Sequence, residues 1–397
     1  VSDAIDGSNA AEGALFAAIN LVPSMHTKQV WVPRPALSLA FDFSGSTSET
    51  GEGEALVAVG DRVWGFIQSN SFAGQSVPFC YDFGTGAFVP IAGMTTGNLP
   101  ASTSNTGDWI PPTLAVVGAY IIFTHPGFAM PNAFGWIDMT GLSDSATGDT
   151  TQASNQITGL SKDTLLAGWR PGMTITGNGI LAGTTITQVS SDGYTLTLSA
   201  GVVGTQTGIP LTVSGGTPAA PLWAAGNLNA YPLPGVAQTV SMFNGRAWYS
   251  VANADVFSDA GDPLQRTNAD QVITIQNGLT ITAQATQAFN NQAIIGGVVQ
   301  ALVLFQGDSG IWQITGDAAT SNLALNFVAS IGTLAPLSIA TVPGPSLRFV
   351  GPDGIRQINM NGSVSPPMGT QGDGVAMPFV NAPYPSRIAA AYNEDVY

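Results

Sequence analysis

A chain of 397 residues is too long for one ordinary domain unless it is a repeat or a large β-fold. Only 9% of its residues are charged, while Gly (48) and Pro (26) are abundant, which excludes coiled coils and long solvent-exposed helices and suits short strands joined by tight turns. A net charge of −15, from 10 basic and 25 acidic residues, excludes nucleic-acid binding by phosphate neutralisation, which needs clustered Lys and Arg.

From the N-terminus, the apolar segment Ala10 to Val22 predicts one helix. The first residue is Val1 rather than Met, as expected of a processed or incomplete N-terminus. Gln29-Val30-Trp31-Val32 predicts a strand stopped by Pro33 and Pro35, and Leu37 to Phe43 a second one. Ser44 to Glu54 reads as a polar loop. A series of hairpins follows: Leu56 to Phe66, Phe79 to Val89 around Gly84-Thr85-Gly86, and Leu114 to Phe123, with a further short strand at Phe134 to Asp138. The stretch 239–263 is the clearest member. Val240, Met242 and Phe243 form one arm, Asn244-Gly245 the turn, and Trp248, Tyr249 and Val251 the return arm. Asn-Gly between apolar runs is the strongest short-range hairpin signal, because both residues tolerate positive φ. A third strand follows at Val256-Phe257, then an Asp/Gly/Pro turn.

The same unit recurs at Val303 to Ile314 around Gly307-Asp308-Ser309-Gly310, and at Leu347 to Ile358 around Gly351-Pro352-Asp353-Gly354. The chain closes on Ile388 to Tyr397, which reads as a hairpin cut off in its return strand, so the natural chain is expected to run on or to pair its end with the N-terminal strands. The spacing, roughly 40–65 residues once one long gap is set aside, is that of four-stranded propeller blades. Tandem sandwiches are the rival all-β arrangement. The gap, 142–216, differs: Thr alternates with aliphatics in Met173-Thr-Ile-Thr176, Thr185 to Val189, Tyr194 to Leu198 and Ile209 to Val213. Period-2 alternation predicts strands with one wet face, here a small inserted β-sandwich. The expected organisation is therefore all-β: residues 1–141 as an N-terminal segment and first propeller blades, 142–216 as an inserted Ig-like β-sandwich, and 217–397 as the remaining blades, the last incomplete.

Catalytic patterns are poor. His26 and His125 are the only histidines, and His125-Pro126 ends a strand without a neighbouring acid in sequence. Cys80, the lone cysteine, permits no intrachain disulfide and lies between Phe79 and Tyr81 as a buried small hydrophobe. Gly177-Asn178-Gly179 reads as a turn, not a phosphate cradle. Asp255, Asp259 and Asp262 cluster, as do Glu49, Glu52 and Glu54. Two carboxylates flanking a sugar would make a glycosidase, but Asp259 to Pro263 is more simply a turn whose aspartates bond local amides. Trp64, Trp136, Trp248 and Trp312 fall on strands and are assigned to core packing. No cofactor and no metal site is expected, and no run of about 18 apolar residues spans a membrane.

Asn244-Gly-Arg-Ala-Trp-Tyr-Ser250, Val256 to Asp259 through Asp262-Pro263, Leu304-Phe305 through Ser309 to Gly316, Pro352-Asp-Gly-Ile355 and Val32-Pro-Arg-Pro35 together resemble the tail nozzle family of short-tailed bacteriophages, also called tail tubular protein B. The insert resembles Ig-like modules of phage virion proteins. The resemblance implies a structural protein of the distal tail of the virion. Six copies would form a ring below an adaptor ring, near the tail fibres, with a channel that conducts genomic DNA without binding it specifically. Acidic walls would let DNA slide, an effect confined to about 8 Å at physiological salt. The turn residues Asp61, Asp308 and Asp353 are the acidic candidates for the channel lining. A receptor-binding virion protein using the insert and a propeller glycosidase or depolymerase are the alternatives.

Overall fold

The computed structural model describes residues 21–23, 31–33, 53–68, 75–101, 112–139, 143–165, 167–190, 192–216, 220–291, 297–320, 322–342, 346–367, 385–388 and 390. Among them the fold is all-β, built of several antiparallel sheets, and the only helical pieces are single 3₁₀ turns. No helix among the described residues is long and apolar enough to cross a membrane.

Strands β1 (Leu21–Pro23) and β2 (Trp31–Pro33) pair antiparallel, Val22 opposite Val32. This corrects the end of the helix expected from Ala10 to Val22: Leu21 and Val22 run into Pro23 and pair as a strand. The rest of that segment lies outside the described residues, as do the strand expected at Leu37 to Phe43, nearly all of the Ser44–Glu54 loop, and most of the closing hairpin.

The chain divides into two compact units, one of residues 43–286 with 317–323, the other of 1–42, 287–316 and 324–397. The larger unit opens with β3 (Gly53–Val59), β4 (Arg62–Gln68), β5 (Ser76–Asp82) and β6 (Ala87–Phe88) in simple meander order. The two hairpins expected at 56–66 and 79–89 are thus one sheet, because β4 pairs with β5 along its whole length, from Arg62 opposite Asp82 to Gln68 opposite Ser76. The second sheet begins with β7 (Thr113–Val117), β8 (Tyr120–Thr124) and β9 (Phe134–Asp138). Before its fourth strand the chain builds six others: β10 (Ser143–Thr150), β11 (Gln156–Thr158), β12 (Thr174–Gly177), β13 (Ile186–Val189), β14 (Leu196–Leu198) and β15 (Gln206–Ser214). Then β16 (Leu222–Gly226) pairs with β9, Leu222 opposite Asp138 and Ala224 opposite Trp136.

Every position of β8 and β9 is buried. That is why Tyr-Ile-Ile-Phe and Phe-Gly-Trp-Ile read as continuous apolar runs: a strand covered on both faces has no reason to alternate. On one face Phe66 meets Phe123 edge-on at 4.4 Å. On the other, Phe134 lies 4.5 Å from Tyr249 of the third sheet, within a core that also holds Ile122, Trp136, Val240 and Val256. Gly135 is required here, since a Cβ would come within 2.5 Å of the Trp223 ring.

The six inserted strands form one open sheet in the order β12-β15-β10-β11-β14-β13, with an isolated bridge between Thr174 of β12 and Thr185 just before β13. The sheet wraps a core containing Trp169, Met173, Ile175, Leu196, Leu211 and Val213. Burial alternates along β15, as the Thr/aliphatic pattern requires.

Beyond β16, β17 (Asn229–Ala230) pairs in parallel with β21 (Gln265–Arg266), while β18 (Thr239–Phe243), β19 (Arg246–Val251), β20 (Ala254–Phe257) and β22 (Val272–Thr274) form the third meander. Asn244 (φ +51) and Gly245 (φ +68) make the β18–β19 turn in the left-handed region, as the Asn-Gly signal demands. The first strands lie side by side, β7 running next to both β3 and β18.

The smaller unit carries a four-stranded sheet of β23 (Ala283–Asn291, whose first residues belong to the larger unit), β24 (Gly297–Phe305), β25 (Ile311–Thr315) and β26 (Ala324–Ala329). It also carries a three-stranded one, β27 (Ala340–Val342), β28 (Ser346–Gly351) and β29 (Gly354–Ile358). Phe305 against Phe349, centroids 5.3 Å apart, and the Thr333 hydroxyl donating to Val350 O at 2.7 Å bind the unit together.

Candidate functional site

Each of the three channel-lining candidates occupies the turn of a hairpin. Asp61 is exposed in the β3–β4 turn, its carbonyl accepting from Phe83 N–H at 2.9 Å. Asp308 is exposed in the β24–β25 turn, where its carboxylate accepts from the Ser309 hydroxyl at 2.9 Å and its carbonyl from Gly332 N–H at 2.9 Å. Asp353, between β28 and β29, is ion-paired with Arg356. That guanidinium holds the Asp353 carboxyl below the usual carboxylate range and offsets its charge, so at this turn the acid is locally neutralised.

The Asp255–Asp262 cluster separates into three environments. Asp255 lies within β20, opposite Ser250 and Ile273, fully buried, with neither carboxylate oxygen bonded to a donor among the described residues. Burial raises its pKa well above the ordinary carboxylate value. Asp259 accepts from the Gln271 side-chain amide at 2.7 Å and the Thr267 hydroxyl at 3.1 Å. Asp262 accepts from Leu264 N–H at 3.2 Å and ion-pairs with Arg170. Asp259 and Asp262 therefore work as the turn acids expected of them. His125 is buried, its Nδ1 accepting from Gly127 N–H at 2.8 Å. Trp64, Trp136 and Trp248 are core residues, while Trp312 is partly exposed and donates to the Gln306 side chain at 2.8 Å. No group of three or more metal-ligating side chains occurs among the described residues.

Sequence reasoning missed a cleft of about 600 Å³ between the inserted six-stranded module and the second sheet. One wall is Thr185–Gln188 and Ser199 of the module, the floor runs from Leu222 to Asn229, and Met130–Asn132 with Gly93 and Asn98 close the far side. Three contacts fix the module above it. The Arg170–Asp262 ion pair is one. Val189 N–H donates to Asn229 Oδ1 at 3.1 Å. At Gly172 (φ +87) the module backbone comes so near that a Cβ would lie 2.3 Å from Ala224 Cβ. These residues are far apart in the chain, and no local pattern announces the cleft; Asn229 and Gly172 carried no motif to single them out.

No known protein family matches the chain, and no curated protein does. Among solved structures, the computationally designed protein Ika8, in one of its crystal packings, is similar at a TM-score of 0.33 and 10% identity, over 79% of this chain and 73% of that one, too distant to bear on function.

Proposed function

We propose that the chain is a structural subunit of a bacteriophage tail nozzle, in which its four-stranded meanders are the blades of a β-propeller and residues 142–216 an inserted Ig-like module. The observation that carries the blade reading is the adjacency of the first strands β3, β7 and β18, with the middle sheet covered on both faces. Blades set around an axis bring their first strands together in this way. The nozzle reading adds the hairpin resemblance at Asn244–Ser250, Leu304–Gly316 and Pro352–Ile355, and the net charge of −15. In it, six copies ring the distal tail below the adaptor and beside the fibres, and DNA passes through without specific binding. Asp61 and Asp308 lie exposed to solvent, as such a lining needs, whereas Arg356 offsets the charge of Asp353.

Electron microscopy of the purified protein and of its parent particle tests this. Sixfold rings with an axial pore at the tail tip are expected. A protein found only on fibre tips, or in no particle at all, overturns the proposal. A receptor-binding reading is favoured separately by the cleft under the module. Deleting 142–216 should then abolish adsorption while assembly proceeds, and unchanged adsorption sinks that reading.

A further inference from the structure

We infer that the cleft beneath the inserted module is a binding site for a neutral oligosaccharide. This goes beyond the assembly reading and stands or falls apart from it. The first observation is the chemistry of the wall. Among the described residues that line the cleft there is no Asp, Glu, Lys, Arg or His, in a chain that carries 25 acids. Its polar groups are side-chain amides and hydroxyls, among them Asn98, Asn132, Thr187, Gln188 and Asn229, set between apolar surfaces from Met130, Pro131 and Pro171. Amides matched with apolar patches suit a ligand that offers uncharged hydroxyls on one edge and C–H faces on the other, which is a sugar ring. An anionic ligand would find no counter-charge on these walls.

The second observation is an unfilled donor. Asn229 is 1% exposed and lines the cleft; Val189 N–H donates to its Oδ1, and its Nδ2 has no acceptor among the described residues. A buried amide donor left unmade costs stability, and a ligand oxygen at the cleft floor would satisfy it. The third is the rim. Tyr231, which precedes the lining residue Pro232 in the chain, is 44% exposed and could offer its ring for stacking on a sugar. The walls are held by the Arg170–Asp262 pair and the Gly172–Ala224 contact, so the cleft exists before any ligand arrives.

The test is a glycan array of neutral and acidic oligosaccharides probed with the full chain, followed by calorimetric titration of the strongest neutral binder. Binding should be confined to neutral glycans. Asn229→Asp keeps the acceptor for Val189 N–H and removes the Nδ2 donor, and should weaken binding about tenfold. Gln188→Trp, at an exposed wall position, should fill the cleft and abolish binding. Tyr231→Ala, on the surface, should weaken it several-fold with thermal stability unchanged, which separates lost binding from lost folding. The inference is overturned if no neutral glycan binds, if acidic glycans bind equally well, or if Gln188→Trp and Tyr231→Ala both leave the affinity unchanged.

Discussion

Arg170 of the inserted module and Asp262 of the turn after β20 form an ion pair whose side chains are only 14% and 18% exposed. Arg170 is itself held by Nη1 bonds to Leu165 O at 3.0 Å and Trp169 O at 2.7 Å, so little side-chain freedom remains to be lost. A double-mutant cycle of Arg170→Ala and Asp262→Asn should give a coupling of about 1–2 kcal/mol, reduced from the value of a fully buried pair by the remaining solvent. Denaturant unfolding measures it, and strictly additive single effects would show that the pair does not hold the module.

Gly172 offers a geometric check on the same junction. An added Cβ would lie 2.3 Å from Ala224 Cβ, and the backbone sits at φ +87. Gly172→Ala should therefore destabilise by about 2–4 kcal/mol, from the backbone conformation together with overpacking. Adding Ala224→Gly should return the overpacking part and leave the conformational part. If the second change restores nothing, the two surfaces are not in contact.

Asp255 predicts a pH dependence. Burial makes the folded protein keep the proton on this carboxyl to higher pH than the unfolded chain, which releases it above about pH 4. The folded state therefore binds more protons, and its stability falls as pH rises from about 4 towards the raised folded value, at about 1.4 kcal/mol per pH unit. Asp255→Asn removes this dependence. Its stability relative to wild type should improve steadily with pH across that window, and a pH-independent difference in unfolding free energy would contradict the assignment.

Cys80 should be silent to thiol reagents. It is fully buried on β5, and burial pushes its thiol up to about 12 against the pull of Arg62. A chromogenic disulfide reagent should find no reactive thiol in the folded chain and one per chain in denaturant. Rapid labelling of the native protein would mean that the β4–β5 region opens locally.

Trp248 lies 4.4 Å from Phe257 in a stacked arrangement, and its indole donates to Phe243 O at 3.0 Å. Trp248→Ala should cost about 3–5 kcal/mol, whereas Trp312→Ala, at a partly exposed ring, should cost less. Equal costs in thermal unfolding would argue against a distinct core role for Trp248.

How far the chain could be read without coordinates depended on how local the deciding interactions are. The Asn244-Gly245 turn was readable because positive φ is a property of those residues themselves. The apolar arm of β8 was readable because burial on both faces writes itself as the unbroken apolar run Tyr120 to Phe123. Strand β10 was not: Ser-Asp-Ser-Ala-Thr-Gly-Asp-Thr has no apolar alternation and becomes a strand by pairing with β15 from Ser143 opposite Ser214 onward. Asp255 was grouped with Asp259 and Asp262 by sequence position alone, because its burial comes from packing that the residues beside it do not encode. The union of two hairpins into the first sheet was hidden for a related reason, the loop between β4 and β5 being longer than a tight turn. Arg170–Asp262, Val189–Asn229 and Gly172–Ala224 all join distant segments, so the cleft they frame had no signature in the sequence.

The pairing of β9 with β16 has one more consequence. Asp138 and Leu222 face each other across the ladder, so the whole module leaves and rejoins the second sheet at neighbouring positions. A cassette with adjacent ends can be exchanged there without altering the register of Trp136 with Ala224 or the strands beyond. A protein engineer therefore has an opening there for grafting another domain in its place.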